Sequence, residues 1–195
     1  MPNESTDHVR AFVAVRVPPM VRDRVGQLQG ELKQAAETSG IRWTPPEQMH
    51  LTLRFYGNVT RSTLSELEAA LRKGCREVAP FGLQAVGAGA FPNLKRPRVL
   101  WVGIGGEVGQ LHSLQKAVLR ETSNWGEPEE RDFHPHLTLA RVKDPHARGI
   151  RELAQKVEAL SAVELGSWRV AELHLTQSEL SNAGARYTEL ATVQL

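Results

Sequence analysis

The tetrapeptide His-Leu-Thr-Leu occurs twice in this chain, at residues 50–53 and 136–139. In an extended strand its histidine and threonine lie on one face, because side chains two positions apart point the same way, and its two leucines lie on the other. An imidazole transfers protons near neutral pH, and a threonine hydroxyl donates a hydrogen bond to an anionic oxygen. Two such pairs facing each other across a cleft would form an acid/base site around one phosphate, without a metal ion.

The local context of both copies supports this interpretation. A short repeated tetrapeptide is a weak signal by itself. Both copies, however, lie in alternating apolar and polar runs, which are typical of half-buried strands, and the first of these strands is predicted from Met49 to Tyr56. We therefore predict four catalytic residues, the histidine and threonine of each motif: His50, Thr52, His136 and Thr138.

Two arginines follow the motifs at unequal distances. Arg54 lies four residues after His50, and Arg141 lies five residues after His136. In a regular strand, Arg54 would point into the cleft and Arg141 would point to the leucine face. A β-bulge or the end of the strand would turn Arg141 back toward the cleft. From spacing alone, both arginines remain candidates for binding the phosphate.

The remaining histidines offer two competing interpretations. His134 and His136 share a face of one strand and would suit two ligands of a zinc ion. Because the sequence shows no third ligand, we expect no metal and no cofactor, and His134 would instead flank the site. The segment His174-Leu175-Thr176 is a third His-x-Thr, but no strand–helix–strand unit precedes it. We therefore interpret it as a lookalike.

The elements around the motifs indicate a duplicated half-domain. Each copy ends a strand–helix–strand unit, and three further strands are predicted to close the chain at 162–165, 169–178 and 185–195. We expect an α+β protein with two antiparallel or mixed sheets and helices outside. The chain from 1 to 195 would be a single domain of two lobes, with repeated units around 11–57 and 99–142. A pseudo-two-fold axis would then bring equivalent strands face to face across a central cleft.

The helices are predicted from apolar positions three or four residues apart, which form one buried stripe. In the first unit these positions are Val21, Val25, Leu28, Leu32 and Ala35. A second helix begins near Thr63, where Thr63-Leu64-Ser65-Glu66 fits a capping box, and it carries Cys75 on its apolar side. Cys75 is therefore interpreted as a core thiol.

Composition limits the class of protein. The chain has 195 residues, of which 41% are hydrophobic and 24% charged, with a net charge of +2. These values are ordinary for a globular domain, and the slight positive charge permits an anionic substrate. One cysteine excludes an internal disulfide framework and a Cys-based zinc site. No signal-peptide core is visible in residues 1–7, and no apolar run is long enough to cross a membrane, so we expect a cytoplasmic protein.

The two motifs and their flanks resemble the 2H phosphoesterases, and within them the bacterial and archaeal RNA 2′,3′-cyclic phosphodiesterases, also called 2′-5′ RNA ligases. The match extends over nearly the whole chain and includes the stretches 12–15, 42–55, 89–92, 96–103, 135–141, 178–180 and 184–187. This resemblance implies a bilobal fold with a central cleft and catalysis by the two His/Thr pairs. The second motif of the family ends in an arginine that contacts phosphate, so it favours Arg141 over Arg54. The family also often carries a basic residue at the place of His134, which implies that His134 is a substrate-binding residue.

The resemblance also implies a reaction. RNA ends or oligonucleotides with a 2′,3′-cyclic phosphate would be hydrolysed to 2′-phosphomonoesters, with His50 as proton donor and His136 as proton acceptor, and the reverse 2′-5′ ligation would be possible. Two alternatives remain: a 2H phosphoesterase acting on another cyclic or 2′-5′ nucleotide, and a module that binds RNA or nucleotides without catalysis. Both motifs are intact, which argues against the second. We expect a monomer that does not associate with membranes.

The segment Lys95-Arg96-Pro97-Arg98 carries three cations. Such a segment is either a solvated loop or a surface that attracts RNA phosphates. The sequence alone does not choose between them.

Overall fold

The computed structural model describes residues 7–34, 40–128, 132–181 and 184–195. Its helices and strands are, in chain order, β1 (His8–Arg16), α1 (Pro19–Gln34), β2 (Ile41–Trp43), β3 (His50–Thr60), α2 (Leu64–Cys75), β4 (Phe81–Phe91), β5 (Val99–Gly106), α3 (Val108–Glu121), β6 (His136–Val142), α4 (Ile150–Ala159), β7 (Glu164–Val170), β8 (Glu172–Ser181) and β9 (Gly184–Gln194). The predicted helix position Ala35 and the N-terminal segment 1–6 lie outside the described residues.

The strands form two sheets. The first has the order β3-β1-β8-β9, and the second has the order β2-β6-β5-β4-β7. Every pairing among the described strands is antiparallel. The α+β prediction with two sheets is confirmed, and the sheets are antiparallel rather than mixed.

The two motifs lie on different sheets, and helices α1 and α3 each pack against an element of the other unit. Strand β3, which carries the first motif, is an edge strand of the first sheet, whereas β6, which carries the second motif, is an inner strand of the second sheet. Helix α1 follows a strand of the first sheet but packs against β7 and α4, and α3 follows a strand of the second sheet but packs against β3 and α2. Each sheet is thus covered partly by a helix from the other unit, which the sequence pattern did not predict.

The apolar stripes of the helices are confirmed. In α1 the predicted positions Val21, Val25, Leu28 and Leu32 are buried. Full burial of one such aliphatic side chain stabilises the fold by about 1.5–3 kcal/mol. Cys75 is also fully buried, on the inner side of α2, as expected of a core thiol.

Both motif strands contain a β-bulge at the second leucine of the motif. In β3 the residues on either side of Leu53 pair with consecutive residues of β1, so Leu53 is an extra residue. In β6 the residues on either side of Leu139 pair with consecutive residues of β5, so Leu139 is extra as well. A bulge inserts one residue into the alternation of faces. The side chains directly beyond it therefore point to the face opposite to the one expected for a regular strand, until a second bulge at Tyr56 of β3 restores the alternation there.

Two local predictions are corrected. The break between the closing strands lies at Ala171, because the strand expected to end at 165 continues as β7 to Val170. The capping box at the start of α2 does not form, since the Thr63 hydroxyl donates to the carbonyl of Thr60 instead of capping the helix.

In the described part of the chain, no helix is long and apolar enough to cross a membrane.

Candidate active site

The two motifs meet at one cavity of about 730 Å³. All four predicted catalytic residues line it: His50 and Thr52 from β3, and His136 and Thr138 from β6. Their leucine neighbours point the other way and are buried in the core. The tertiary structure thus brings together two imidazoles that are 86 positions apart in the sequence.

Both histidines are held in the same orientation. The Nδ1 of His50 lies 2.7 Å from the carbonyl oxygen of Gln48, and the Nδ1 of His136 lies 2.7 Å from that of His134. Since a carbonyl oxygen only accepts hydrogen bonds, we assign the hydrogen to Nδ1 in each ring. This leaves Nε2 of each imidazole available for proton transfer.

Burial sets the protonation state of both rings. Loss of hydration, the largest cause, lowers the pKa of His50 below its ordinary 6.5, and the hydrogen bond to Gln48 opposes that change. Burial is also the largest cause that lowers the pKa of His136, and the nearby Arg141 guanidinium lowers it further. In the free protein at neutral pH, both imidazoles are therefore mainly neutral.

Aromatic side chains enclose His50. The ring of Phe12 stacks on it with centroids 4.7 Å apart, and Tyr187 meets it edge-on at 5.2 Å. Phe12 is buried, whereas Phe55 and Tyr187 remain 51% and 38% exposed at the cavity edge. These exposed rings leave apolar surface beside His50 on which a planar group could stack.

A second aromatic pair lies beside His136. Phe91 lines the cavity and meets the His136 ring edge-on at 5.0 Å, and it contacts the indole of Trp101 at 5.3 Å. The indole lies across Gly89, where a β-carbon would come within 2.3 Å of it. This close approach explains why the strand has a glycine at that position.

The bulges decide the positions of the two arginines. Arg141 lines the cavity and is exposed, because the bulge at Leu139 returns it to the face of His136 and Thr138. The corresponding position after the first motif is held by Phe55, which is likewise exposed at the cavity.

Arg54 requires a correction. Although the residue borders the cavity, its guanidinium is buried and donates to the carbonyls of Leu119 and Trp125 at 3.0 and 2.7 Å and to the Thr122 hydroxyl at 3.0 Å. The expectation that Arg54 points into the cleft is wrong, because the bulge at Leu53 turns it toward the end of α3. There the guanidinium donates hydrogen bonds to main-chain carbonyls, which have no partner within the helix at a helix terminus.

The other histidines occupy different positions. His134 is exposed next to Phe91, with ring centroids 6.1 Å apart, and lines the cavity as expected. His174 is buried away from it, with Nδ1 3.0 Å from Glu189 and Nε2 3.3 Å from Glu172. No group of three or more histidine, cysteine, aspartate or glutamate side chains is placed to hold a metal ion in the parts of the chain that the structure describes.

Sequence reasoning missed the surroundings of the two histidines. Phe12, Phe55, Tyr187 and Gln115 contact the rings or the cavity but were not singled out as site residues. One signal was available for Gln115: it is a polar residue in the apolar stripe of α3, and Gln29 interrupts the stripe of α1 in the same way, 86 positions earlier.

Comparison with known proteins identifies the family of this chain. The family model for LigT-like phosphoesterases matches residues 15–101 and 103–187. The chain is 38% identical over 187 residues to an RNA 2′,3′-cyclic phosphodiesterase of Methanothermobacter thermautotrophicus, covering 96% of this chain and 99% of that protein. It is 31% identical over 182 residues to one from Aquifex aeolicus, covering 92% of this chain and 94% of that protein.

Solved structures show the same fold. The protein TT0787 of Thermus thermophilus aligns with a TM-score of 0.72 at 31% identity, covering 95% of this chain and 97% of that one. Escherichia coli LigT complexed with 3′-AMP aligns with a TM-score of 0.69 at 26% identity, covering 97% of this chain and 99% of that one. Because the family model and these relatives match nearly the whole chain, this protein belongs to the LigT-like phosphoesterases, the 2H family that its two motifs indicate.

Proposed function

We propose that this protein hydrolyses 2′,3′-cyclic phosphates at RNA ends to 2′-phosphomonoesters. The observation that carries the proposal is the pair of imidazoles, each with a free Nε2, at one cavity that also contains two threonine hydroxyls and Arg141. Relatives named as RNA 2′,3′-cyclic phosphodiesterases and the complex of LigT with 3′-AMP support a substrate of this class.

In the proposed reaction, water attacks phosphorus in line with the bond to the ribose 3′ oxygen. His136 Nε2 accepts a proton from the water as the new P–O bond forms. The P–O3′ bond breaks, and His50 Nε2 donates its proton to the departing oxygen. The phosphate stays on the 2′ oxygen, and exchange of protons with solvent restores both imidazoles. When a 5′-hydroxyl attacks phosphorus in place of water, the same forward steps form a 2′-5′ linkage, and their reversal cleaves it.

Binding of the anionic substrate favours uptake of a proton from solvent by His50. Hydrolysis requires His50 protonated and His136 neutral, yet burial favours the neutral form of both rings in the free protein. An anionic phosphodiester beside His50 raises the pKa of that imidazole, because an opposite charge favours the protonated form. His136 stays neutral beside the cationic Arg141.

The non-bridging phosphate oxygens need hydrogen-bond donors as the fifth bond to phosphorus forms. Thr52, Thr138 and Arg141 supply two hydroxyls and a guanidinium at the cavity. Charge-assisted donors of this kind stabilise the negative charge that develops in the transition state. We therefore propose that they hold the phosphate without a metal ion, with His134 as a further substrate contact.

We also propose an oligomeric state, a domain organisation and a compartment for the protein. The chain would be a monomer and a single domain of two lobes, with repeated units around 11–57 and 99–142. The cytoplasm is proposed as its compartment, which suits the one cysteine and its buried thiol.

The test uses two substrates, a 2′,3′-cyclic nucleotide and an RNA with a 2′,3′-cyclic phosphate end, with phosphorus NMR to identify the product. We expect a 2′-phosphate from the RNA. A 3′-phosphate would mean that the ribose binds the other way round and that the roles of His50 and His136 are exchanged. Binding of both substrates without turnover would overturn the proposal in favour of a binding module. If the protein turns over only another cyclic or 2′-5′ nucleotide, that nucleotide replaces the cyclic RNA end as the proposed substrate.

A further inference from the structure

Six cations lie together at one end of the second sheet, next to the cavity. We call this group the basic rim, and its members are Arg42, Lys95, Arg96, Arg98, Arg141 and Lys143. All six are exposed. The whole chain has a net charge of only +2, so the rim is a local concentration of positive charge.

The register of the strands places the rim beside the phosphate site. Arg141 of β6 pairs with Arg42 on one side and with Val99 of β5 on the other. Neighbouring strands are about 4.8 Å apart, so Arg42 is adjacent to Arg141. Its neighbour Trp43 contacts Lys33 of α1 on the outer face, which puts Arg42 on the cleft face.

The hairpin between β4 and β5 is held in a defined conformation at this end. It leaves the cavity at Phe91 and returns to it at Val99. The Asn93 side chain accepts hydrogen bonds from the main-chain N–H groups of Lys95 and Arg96 at 3.0 and 3.1 Å. These bonds fix the loop while leaving both cationic side chains in solvent.

The link between β5 and β6 extends the rim. Arg98 donates to the carbonyl of Lys143 at 2.6 Å, and its own carbonyl accepts from the N–H of Val142 at 2.9 Å. Lys143 lies two residues beyond Arg141 along the chain, so the rim continues without a gap from the cavity to this corner of the sheet.

The rim cations are available to an anionic ligand. Among the described residues, the ion pairs of arginine and lysine with glutamates involve four other cations: Arg16, Arg72, Lys73 and Arg120. Within the described ranges, no rim cation forms an ion pair with a carboxylate. A row of unpaired cations next to a phosphate site matches the regular negative charge of a nucleic-acid backbone.

We infer that the basic rim binds the backbone phosphates of the RNA strand 5′ to its cyclic end. This inference rests on the proposed function and deepens it, because it makes a polymeric RNA, rather than a mononucleotide, the preferred substrate. The terminal ribose would occupy the cavity, Arg141 would contact the cyclic phosphate, and the chain would leave over Arg42 and the hairpin.

The test variant is Lys95→Glu with Arg96→Glu, since these side chains are exposed and their turn depends on main-chain groups. Its matched control is Arg151→Glu with Lys156→Glu, an equal change of charge on the exposed side of α4. The substrates are a 2′,3′-cyclic nucleotide and an RNA of about ten nucleotides with a cyclic phosphate end. Binding of the same RNA carrying a 2′-phosphate is measured separately by fluorescence anisotropy.

For the oligonucleotide, we expect the rim variant to lose roughly tenfold in kcat/KM and in affinity at low salt, with a salt-dependence slope shallower by about 1.4, the value for two lost phosphate contacts. Its turnover of the cyclic nucleotide and all activities of the control should stay within about twofold. Equal losses in rim and control variants, or an equal loss for the cyclic nucleotide, would overturn the inference. If the unaltered protein hydrolyses neither substrate, the proposed function fails, and the anisotropy comparison still decides whether the rim binds RNA.

Discussion

The side-chain amide of Gln29 in α1 donates a hydrogen bond of 3.0 Å to the main-chain carbonyl of Leu139, 110 positions away. Leu139 is the bulged residue of β6, and its carbonyl also accepts from the N–H of Thr44 at 2.9 Å. The same Gln29 amide donates to the Thr44 carbonyl at 2.7 Å. A buried helix residue therefore secures the bulge that turns Arg141 into the cavity.

Replacing this amide should affect both stability and catalysis. Gln29→Met keeps the volume but leaves two main-chain carbonyls with fewer partners, which costs roughly 1–3 kcal/mol of unfolding free energy. We also expect a lower kcat/KM, because the bulge and Arg141 become less well held. Denaturant unfolding and steady-state kinetics check both effects, with Gln27→Leu on the exposed side of α1 as the control. A destabilised variant with an unchanged kcat/KM would show that the amide has no part in placing Arg141.

The two arginines that follow the motifs should behave in opposite ways. Arg54→Ala removes three hydrogen bonds at the end of α3 and should cost at least about 2 kcal/mol of unfolding free energy. Arg141→Ala should change stability by only about 0.5 kcal/mol, because the side chain is exposed, but should lower kcat by roughly 10²–10³-fold. Thermal unfolding and kinetics of both variants provide the comparison. A stable, inactive Arg54→Ala would reverse the assignment.

Loss of either site histidine should abolish most turnover. His50→Ala and His136→Ala should each lower kcat by roughly 10²–10⁴-fold, the usual contribution of a proton-transfer group. Both rings face the cavity, so circular dichroism should show a native fold. His174→Gln serves as the comparison, because His174 contacts two glutamates away from the cavity, and its folded fraction should turn over normally. Near-native rates in either site variant would refute the two-histidine mechanism.

The pH dependence follows from the directions of the two pKa shifts. The reaction needs one imidazole protonated and one neutral, so kcat/KM should be bell-shaped, with apparent pKa values that belong to the pair. Burial lowers both pKa values from 6.5. As the pH rises above 6.5, the free protein loses its proton donor, so the maximum of kcat/KM should lie below 6.5.

The neighbour of His136 allows a further check of that profile. Arg141 lowers the pKa of His136, so Arg141→Gln should move the acidic limb to higher pH, in addition to reducing the rate. A maximum well above 6.5, or an acidic limb that does not move in the variant, would contradict the assigned roles.

Chelation tests the proposed metal-free mechanism. Dialysis against EDTA should leave the rate unchanged, because Thr52, Thr138 and Arg141 are proposed to hold the phosphate charge. The rate is compared before and after dialysis, and again after addition of Zn²⁺ or Mn²⁺. A loss of activity that either ion restores would support a metal bound by His134 and His136.

Much of this protein could be predicted from local patterns. Two-residue alternation identified the strands and the shared face of His50 and Thr52, and three- and four-residue spacing identified the buried stripe of α1. These features depend on neighbours within one element, so the sequence contains their whole cause. The repeated motif also indicated the family and the four residues at the cavity.

The tertiary structure decided which arginine side chain faces the cavity. A bulge changes the alternation by one residue, and whether it forms depends on partners in other elements: the register against β5 and the amide of Gln29 for Leu139. No local pattern encodes these contacts. Two other features also depend on the packing of distant segments. These are the packing of α1 and α3 against elements of the other unit, and the burial of His174 between Glu172 and Glu189.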